Sequence, residues 1–552
     1  MPPHPANAGR STAGGDGDAA AAPVTARPVA VPRVLGRCGA VLAVVAALTA
    51  CGAKTSQPAP VFSQEPPQLV PAMPLPPDAV DNAVSRLDGL AEKLMDSSGI
   101  PGMAVAVVHG GKTLYAKGFG VRDTRTGESV DADTVFQLAS LSKPLAATVT
   151  AHQVGVGAIG WDTRIVDELP WFALSDPAVT GMLTIGDLFA HRSGLPDHAG
   201  DLLEDLGYDR RAVLERLRLL PLDEFRTSYA YTNFGLTAAA EAVVAAAGIS
   251  WEELSEKVLY GPLAMSSTSS RFADYRDRPD RAVGHVRTEG GYEPRYIRDP
   301  DPQSPAGGVS ASVNDMTHWL AMMLADGTYN GERIIEPEAL LPALTPQAVS
   351  SPPSQPAMRS GFYGYGFNVG TSAAGRVQFS HSGAFGLGVA TNLVIIPSAD
   401  VAIVALTNAA PTGVPETLTA QFTDLVEFGE IRQDWARLYA DAFAGMNRPF
   451  GEFADRQPPA NPTPARALSS YAGTYANPYW GAATVAETGG VLTVSLGPRP
   501  DSYRLTHWDG EVFTFPITGE NAPPGSISAA VFDSDRLTLE FFDEDGMGTF
   551  LR

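Results

Sequence analysis

The chain has 552 residues, of which 44% are hydrophobic and 18% are charged, the proportions of a globular protein able to bury a large core. Its formal net charge of −22, with no basic run, argues against a nucleic-acid partner. The nine histidines are scattered, without the short spacing of a zinc site, so we expect neither a metal nor another cofactor.

The N-terminal region has the pattern of an export signal. Arg27, Arg33 and Arg37 precede an apolar stretch from Cys38 to Ala50, whose 13 residues fit a signal peptide and are too short to span a bilayer. The stretch ends in Leu48-Thr49-Ala50-Cys51, which resembles the bacterial lipoprotein cleavage box. We therefore expect 1–51 to be a lipoprotein signal peptide ending at Cys51. Cys51 would then anchor the protein by lipid alone to the outer face of the bacterial cytoplasmic membrane. The alternative is an ordinary signal peptide and secretion.

Residues 52–78 are rich in Pro, Gln and Ser, which predicts an extended tether. Apolar residues at helical spacing then predict a helix at about 79–98. The segments Met103 to Val108 and Thr113 to Val121 are predicted to be strands of a hairpin, because His109-Gly110-Gly111 between them is a turn pattern.

The middle of the chain is predicted to be helical and the following part to be extended. Predicted helices cover Leu141 to Gly155, Thr184 to Ala190, Gly235 to Ala247 and Asn314 to Leu324; predicted strands cover Val377 to Ser380, Leu387 to Ile396 and Val401 to Thr407. Strands, helices and strands again predict one antiparallel sheet with an inserted helical region. We therefore assign an α/β (α+β) domain to residues 79–430.

The C-terminal part differs in kind. We interpret 431–467 as a helical and Pro-rich linker, and 468–552, with short strands at regular spacing, as a small antiparallel β domain, barrel or sandwich. The linker predicts that this tail folds separately and is dispensable for chemistry. Tyr479 and Trp480 are interpreted as ordinary strand and turn residues.

The most informative motif is Ser140-Leu141-Ser142-Lys143. A serine hydroxyl needs a neighbouring base to become a nucleophile, and residues i and i+3 share a helix face, so Lys143 is placed beside Ser140. The chain has 33 Arg but only 6 Lys, so arginine is its default cation. A lysine at 143 indicates a group whose pKa can shift on burial.

Two further motifs follow in order. They are Tyr231-Thr232-Asn233 and His381-Ser382-Gly383, and the ordered set of three points to an acyl-transfer enzyme. Tyr229 is a rival for the phenol role, although its spacing to Asn233 favours Tyr231. We interpret His191 as structural.

The order and spacing of these motifs resemble the serine β-lactamase and penicillin-binding-protein family, in its class C-like branch. The resemblance covers residues 79–430. It also rests on His191-Arg192-Ser193-Gly194-Leu195 and on Pro305-Ala306-Gly307-Gly308 with Asp315. It implies a β-lactamase/transpeptidase-like fold, and the tail resembles a small accessory domain often fused behind such hydrolases.

The resemblance also implies roles for individual residues. Ser140 would attack an amide, lactam or ester carbonyl, with Lys143 and Tyr231 moving the proton. Which of these two takes the first proton stays open. Substrate binding would fall to Asn233, His381, Ser382, Gly383 and Ala384, with the N–H groups of Ser140 and Ala384 forming an oxyanion hole.

We therefore expect a serine hydrolase that acts on a small-molecule or peptide substrate through an acyl-enzyme. Histidine at 381, where many β-lactamases carry lysine, shifts the expectation from a true β-lactamase towards a peptidase or amidase for substrates containing D-amino acids. A class C-like carboxylesterase is the alternative enzyme. A catalytically silent penicillin- or peptide-binding protein is the alternative of another class.

Overall fold

The structure is a computed structural model that describes residues 65–499 and 501–552. The predicted signal peptide with Cys51, and the predicted tether up to residue 64, lie outside the described residues. Residues 65–70 contain a short 3-10 helix, Pro67–Leu69. Within the described part of the chain no single helix has the length and apolar content needed to cross a membrane. One bent pair, Asn233–Ala247 with Trp251–Tyr260, meets that criterion jointly.

The predicted antiparallel sheet is confirmed, and it has eight strands. In chain order the strands before the tail are β1 Gly102–His109, β2 Lys112–Gly120, β3 Phe136–Gln137, β4 Val286–Thr288, β5 Gly291–Glu293, β6 Ser310–Ala311, β7 Thr328–Tyr329, β8 Glu332–Arg333, β9 Ala348–Ser351, β10 Gly361–Tyr363, β11 Asn368–Thr371, β12 Val377–Phe385, β13 Val389–Ile396 and β14 Val401–Thr407. The sheet order is β2-β1-β14-β13-β12-β11-β10-β9, and three two-stranded ribbons pair β3 with β6, β4 with β5 and β7 with β8.

Helices pack on both faces of this sheet. They are α1 Ala79–Val84, α2 Leu87–Ser98, α3 Ser142–Gly155, α4 Ile165–Glu168, α5 Pro177–Met182, α6 Ile185–Phe189, α7 Asp201–Asp205, α8 Arg210–Arg216, α9 Asn233–Ala247, α10 Trp251–Ser255, α11 Phe272–Asp277, α12 Ser304–Gly307, α13 Val313–Leu324, α14 Pro337–Leu340, α15 Val414–Phe428 and α16 Trp435–Phe443. The single helix predicted at 79–98 is two helices, interrupted at Ser85 and Arg86.

Strand alternation explains the two layers. In β1, Met103, Val105 and Val107 pack in one cluster with α1, α2 and α15, whereas Ala104, Ala106 and Val108 belong to the larger core on the other face. Successive side chains of a strand point to opposite faces, so an apolar run like this one is buried on both sides. The inserted helices, with α3 at their centre, pack on the sheet face that belongs to the larger core. They place the candidate site beside the edge of β12.

The predicted C-terminal β domain is a closed barrel of eight strands. Its strands are β15 Gly473–Asn477, β16 Gly481–Thr488, β17 Val491–Leu496, β18 Ser502–Asp509, β19 Val512–Pro516, β20 Ile527–Asp533, β21 Arg536–Leu539 and β22 Thr549–Leu551. We did not predict β18, because most of its residues are polar and only Leu505 is fully buried. Closure pairs β15 with β22, which removes the exposed edges that an open sheet would have.

The barrel is docked firmly onto the hydrolase domain. Tyr479 and Trp480 are only 3% and 5% exposed, because their turn packs against α7 and α8. The Tyr208 hydroxyl donates to the Trp480 carbonyl at 2.9 Å, and Arg216 Nε donates to the Tyr479 carbonyl at 3.1 Å. A Pro-rich linker indicates a boundary, yet it does not show whether the flanking domains touch, and here they share one hydrophobic core.

A buried charged cluster lies at this interface. Arg298 contacts Glu204 at 2.6 Å and Asp205 at 3.6 Å. Glu520, in the barrel loop between β19 and β20, accepts hydrogen bonds from the N–H groups of Gly386 and Leu387 just beyond β12. Burial raises the pKa of Glu204 to about 7 and that of Glu520 to about 8. One guanidinium thus stabilises several carboxyl groups from both domains.

We expect Arg298→Ala to lower the free energy of unfolding by about 3–5 kcal/mol, because it leaves buried carboxylates without their cation. The loss should be larger at pH 9 than at pH 6, since the folded-state carboxyls, whose pKa values are raised, are protonated at the lower pH. Urea unfolding of both proteins at the two pH values measures this loss of unfolding free energy. Arg456→Ala, which breaks an exposed pair with Glu452, is the control and should cost at most about 1 kcal/mol.

Candidate active site

The turn before α3 presents Ser140. It is a 3-10 helix, Ala139–Leu141, in which Ala139 adopts a φ of 48°. A non-glycine residue in this left-handed region is strained and has to be held by its surroundings. Ser142 holds the turn, because its hydroxyl donates to the Ala139 carbonyl at 2.6 Å and accepts from the Val309 N–H at 3.0 Å. Ser142 is therefore a buried structural residue, whereas Ser140 is partly exposed.

Lys143 is completely buried beneath Ser140. Its Nζ lies 2.9 Å from Ser140 Oγ, 2.7 Å from Asn233 Oδ1 and 2.9 Å from the Ala306 carbonyl oxygen. The last two atoms can only accept hydrogen bonds. A neutral amine would donate its two N–H groups to them, so its lone pair would face the Ser140 hydroxyl.

The environment of Lys143 makes the neutral amine accessible. Burial lowers the pKa of Lys143 to about 7, and the negative charge of Asp201 opposes this shift. Taking an ammonium out of water disfavours its charged form, which is why burial acts in this direction. At neutral pH a substantial fraction of Lys143 is therefore uncharged and able to accept a proton.

Tyr231 lies on the other side of the lysine. Nζ of Lys143 is 4.6 Å from the centre of the Tyr231 ring, and the Tyr231 hydroxyl lies beside Ser140. Burial raises the pKa of Tyr231 well above 10, although the hydrogen bond with Ser140 acts in the opposite direction. The group is thus a neutral phenol in the resting site. The ring of the rival Tyr229 contacts His191 edge-on and packs at a tilt against Tyr363 instead.

Asn233, at the start of α9, has both ends of its side chain engaged by the protein. Oδ1 accepts from Lys143, and Nδ2 donates to Asp201 Oδ2 at 2.8 Å. Asp201 also contacts His198 Nδ1 at 2.9 Å. The carboxylate of Asp201 raises the pKa of the partly exposed His198. The geometry makes Asn233 a positioning residue for Lys143 and leaves one of its N–H groups for a substrate.

His381 does not offer a cation to the substrate. Its Nδ1 lies 2.6 Å from the Ser382 carbonyl oxygen, so Nδ1 carries the proton, and Nε2 accepts from the Tyr363 hydroxyl at 2.8 Å. Burial, and secondarily the charge of Lys143, lower the pKa of His381 to about 3. Both ring nitrogens of this neutral imidazole are occupied, so the predicted contact with a substrate carboxylate does not fit this arrangement.

The next three residues of β12 alternate between faces. Gly383 faces the nucleophile, since a Cβ placed on it would lie 3.0 Å from Ser140 N and would clash with the Leu138 carbonyl oxygen. Ser382 faces the opposite side of the sheet, where its hydroxyl accepts from Asn392 Nδ2 at 3.0 Å. This orientation turns the Ser382 side chain away from Ser140, and its predicted role in substrate binding stays a prediction. Ala384 follows on β12, where we expect its N–H to act with that of Ser140.

Sequence reasoning missed several residues of the site. It nominated no carboxylate, yet Asp201 supports both Asn233 and the charge of Lys143. It also missed Tyr363, the partner of His381, and the Ala306 carbonyl. No spacing in the sequence links Asp201 or Tyr363 to the motifs, and Ala306 lies in the quoted Pro305-Ala306-Gly307-Gly308 segment, to which no role was assigned. His191, interpreted as structural, accepts a hydrogen bond from the Thr232 N–H and packs on Tyr231.

The acid limb of the activity profile should report the deprotonation of Lys143. We expect activity to rise with pH through about 7, because the pKa of Lys143 is lowered to about 7 and the neutral amine is the reactive form. Asp201→Asn removes a charge that raises this pKa, so the limb should move to lower pH. The pH dependence of kcat/KM for a neutral ester measures the shift. Glu215→Gln, a surface charge change, should leave the limb in place, and an unmoved limb in Asp201→Asn would contradict the assignment.

Fold and site together define a serine hydrolase, and comparison with known proteins gives its family. The family model described as Beta-lactamase matches residues 87–427, and one described as Domain of unknown function (DUF3471) matches residues 457–551. The chain belongs to the β-lactamase family.

Individual relatives are consistent with this assignment. The chain is 30% identical over 387 residues to Penicillin-binding protein 4 of Amycolatopsis lactamdurans, covering 68% of this chain and 93% of that protein. It is 27% identical to an unguisins hydrolase of Aspergillus violaceofuscus, covering 73% of this chain and 77% of that protein. The fold is similar to that of a class C β-lactamase from Rhodobacter sphaeroides, with a TM-score of 0.52, 22% identity, and 62% of this chain and 98% of that chain covered.

Proposed function

We propose that this enzyme cleaves amide or related carbonyl bonds in small molecules or peptides containing D-amino acids, outside the membrane, through an acyl-enzyme on Ser140. One observation carries the mechanism. Lys143 is buried, and its pKa is lowered to about 7. Its Nζ donates hydrogen bonds to two atoms that can only accept, and the third position on Nζ faces the serine hydroxyl. This arrangement favours Lys143 over Tyr231 as the first base.

In the acylation half of the reaction, neutral Lys143 takes the proton of Ser140 as Oγ bonds to the substrate carbonyl carbon. The N–H groups of Ser140 and Ala384 stabilise the oxygen that becomes negative. The phenol of Tyr231 gives its proton to the leaving group as the scissile bond breaks, and Lys143 restores that proton. The products are an ester on Ser140 and a neutral leaving group.

In the deacylation half, the same groups act on water. The Lys143–Tyr231 pair accepts a proton from a water molecule that attacks the ester carbonyl, and the oxyanion forms in the same hole. The ester bond then breaks, and Ser140 Oγ takes the proton back. Asn233 and Asp201 keep Lys143 aligned throughout and exchange no protons.

The neutral His381 bears on the choice of substrate. Many β-lactamases carry a permanently charged lysine in this place, whereas this imidazole is uncharged and engaged by Tyr363. A site without that cation suits peptide, amide and ester substrates better than β-lactams. The same observation supports the second candidate, a carboxylesterase.

A substrate panel tests the proposal. It contains D-alanyl peptides, p-nitrophenyl esters and a chromogenic cephalosporin, with a fluorophosphonate label to count reactive serines. Turnover of the D-alanyl substrates with labelling at Ser140 supports the peptidase or amidase. Turnover of esters alone supports the carboxylesterase. Labelling by a fluorescent penicillin without turnover of any substrate would identify a silent binding protein.

We also propose that the enzyme is exported and anchored, with 1–51 as the signal peptide, Cys51 as the lipidated first residue and 52–78 as a tether. The residue pattern at the N-terminus supports this. The proposed hydrolase domain is 79–430, followed by a linker at 431–467 and the accessory domain at 468–552. Cys51→Ala should leave the precursor unprocessed or release the protein to the medium. Two acyl chains attach a protein stably to a membrane, and the variant would carry no acyl chain. Wild-type protein found soluble in the medium, starting after another residue, would contradict the anchor.

A further inference from the structure

A loop of the barrel reaches the end of β12, the strand that carries the His381-Ser382-Gly383 motif. This loop, residues 517–526, joins β19 to β20. Its Glu520 accepts from the Gly386 N–H through Oε1 at 2.7 Å and from the Leu387 N–H through Oε2 at 3.2 Å. One side chain of the barrel thus holds two successive N–H groups of the turn between β12 and β13. The mechanism derived above uses no residue of the barrel.

Both domains contribute to the shape of this contact. A Cβ on Gly386 would lie 2.7 Å from the backbone carbonyl oxygen of Glu520, so glycine at this position lets the two backbones approach. Asn521, the next residue of the loop, donates from Nδ2 to Asp205 Oδ2 at 2.9 Å. Asp205 belongs to α7 and also lies 3.6 Å from the Arg298 guanidinium. The loop is therefore fixed to two separate parts of the hydrolase domain.

The turn that Glu520 holds follows the part of β12 with the least support from the sheet. Strand β11 ends its pairing with β12 at Ser380, and no other strand of the described residues pairs with that edge beyond it. Residues 381–385, which include Ala384, are therefore paired with β13 alone. Segments with few tertiary restraints open more readily than the rest of a fold. Glu520 supplies a further restraint just beyond this strand end.

The last side chain of β12 connects the turn to the nucleophile. Phe385 is 5% exposed and packs in one cluster with Ala139, the residue with a φ of 48° that precedes Ser140. The Phe385 ring also lies against Gly307, where an added Cβ would be 3.5 Å from it. Gly307 follows the carbonyl group that accepts from Lys143. The position of the strand end thus affects both the turn that presents the serine and the segment that holds the lysine.

The two N–H groups expected in the oxyanion hole depend on the same strand end. The Ala384 N–H belongs to β12 itself, two residues before the first N–H that Glu520 holds, and the Ser140 N–H follows the residue packed on Phe385. Donors in an oxyanion hole act only within hydrogen-bond distance of the oxygen that becomes negative. A displacement of about 1 Å can lower a rate about 100-fold. A restraint on the turn is therefore also a restraint on the reaction.

We propose that Glu520 of the barrel is a positioning residue for the oxyanion hole, so that the docked barrel completes the active site. The proposal rests on the proposed acyl-enzyme function and deepens it by assigning the barrel a part in the reaction. It is opposed to the sequence-based expectation that the tail is dispensable for chemistry. Glu520 exchanges no proton with the substrate, and its effect passes through the Gly386 and Leu387 N–H groups.

Three variants and one control separate this role from a general loss of stability. Glu520→Gln keeps one acceptor oxygen for the two N–H groups, and Glu520→Ala keeps none. Gly386→Ala tests the same contact from the hydrolase side, because its Cβ would collide with the Glu520 backbone. Glu487→Gln is the control, since Glu487 is an exposed glutamate of the barrel that also accepts a backbone N–H, from Gly490 at 2.9 Å.

The substrates are p-nitrophenyl acetate and its thionoester, O-(4-nitrophenyl) thionoacetate. The sulfur that replaces the carbonyl oxygen is larger and a weaker hydrogen-bond acceptor, so a well-formed oxyanion hole favours the oxygen ester. A loss of folded enzyme lowers both rates equally, whereas displaced donors lower the oxygen-ester rate more. Rates are measured at pH 9 after subtraction of the uncatalysed reaction. Burial lowers the pKa of Lys143 to about 7 and raises that of Glu520 to about 8, so at pH 9 the amine is neutral and the carboxyl group is ionised.

We expect Glu520→Ala to lower kcat and kcat/KM for the oxygen ester together, by about 10- to 100-fold, and to lower the preference for oxygen over sulfur by a similar factor. Gly386→Ala should behave alike, Glu520→Gln should lie between these variants and wild type, and Glu487→Gln should match wild type. Circular dichroism identifies a variant that does not fold, and the remaining ones then decide. An unchanged preference for oxygen in the folded variants of Glu520 and Gly386 overturns the proposal, whether or not their rates fall.

Fluorophosphonate labelling separates a failure of this role from a failure of the proposed function. The labelling rate also depends on the oxyanion hole, because the phosphoryl oxygen takes the place of the carbonyl oxygen, so we expect the same order of the variants. A wild type that does not label at Ser140 and releases no p-nitrophenol overturns the acyl-enzyme itself. A wild type that labels at Ser140, with equal labelling rates in all four variants, overturns only the role of Glu520.

Discussion

Ser140→Ala should abolish acylation and lower turnover by several orders of magnitude while the protein stays folded. The reason is that Ser140 combines partial exposure with a buried lysine at hydrogen-bond distance, Lys143 Nζ at 2.9 Å. Reaction with a fluorophosphonate, followed by intact mass and peptide mapping, measures the loss. Circular dichroism and the unfolding midpoint should match those of wild type, because the hydroxyl bridges no other residues of the turn.

Ser142→Ala is the matched control, since it removes a hydroxyl from the same motif. Its hydrogen bonds to Ala139 and Val309 are structural, so we expect lower stability with labelling retained at Ser140. Labelling of a peptide that lacks Ser140 would overturn the assignment of the nucleophile.

Lys143→Ala and Tyr231→Phe should each lower turnover severely, and the double variant should be little worse than either alone. In the proposed mechanism the two side chains, which both lie against Ser140 or Lys143, move one proton between Ser140 and the leaving group, so either loss breaks the same path. Single-turnover rates with an activated ester measure the three variants. Additive losses in the double variant would mean that the two residues act independently.

Lys257→Ala provides a control for the loss of a lysine, because Lys257 is exposed on the helical region. We expect it to keep wild-type rates. Lys143→Arg is the sharper comparison, since a guanidinium stays protonated and cannot accept the proton of Ser140. Full activity in Lys143→Arg would exclude a role for Lys143 as a base.

The family and the positions of the motifs could be predicted from sequence because they depend on short-range order. Ser140 and Lys143 are neighbours on one helical turn, and three motifs in a set order specify a fold. The apolar run of β1 followed by its turn, and the alternation in β12, likewise predict strands from local pattern.

The supporting residues could not be predicted, because they come together only through tertiary structure. Asp201 meets Asn233 from another helix, 32 positions away along the chain. The register of β12 against β13 pairs Ser382 with Asn392 and so decides to which face of the sheet the Ser382 side chain points. A shift of the register by one residue would turn that side chain to the other face. The docking of the barrel was missed for a similar reason, since the surfaces around Tyr208 and Trp480 have no local pattern.

The scarcity and placement of lysines have a practical consequence for handling the enzyme. Among the described residues, Lys93, Lys112 and Lys257 are exposed, whereas Lys143 is completely buried. Amine-directed reagents therefore meet these surface groups and do not meet the buried amine of Lys143. The protein can be coupled to a bead, a sensor surface or a dye through these lysines with its chemistry intact, which makes immobilised forms suitable for screening substrates.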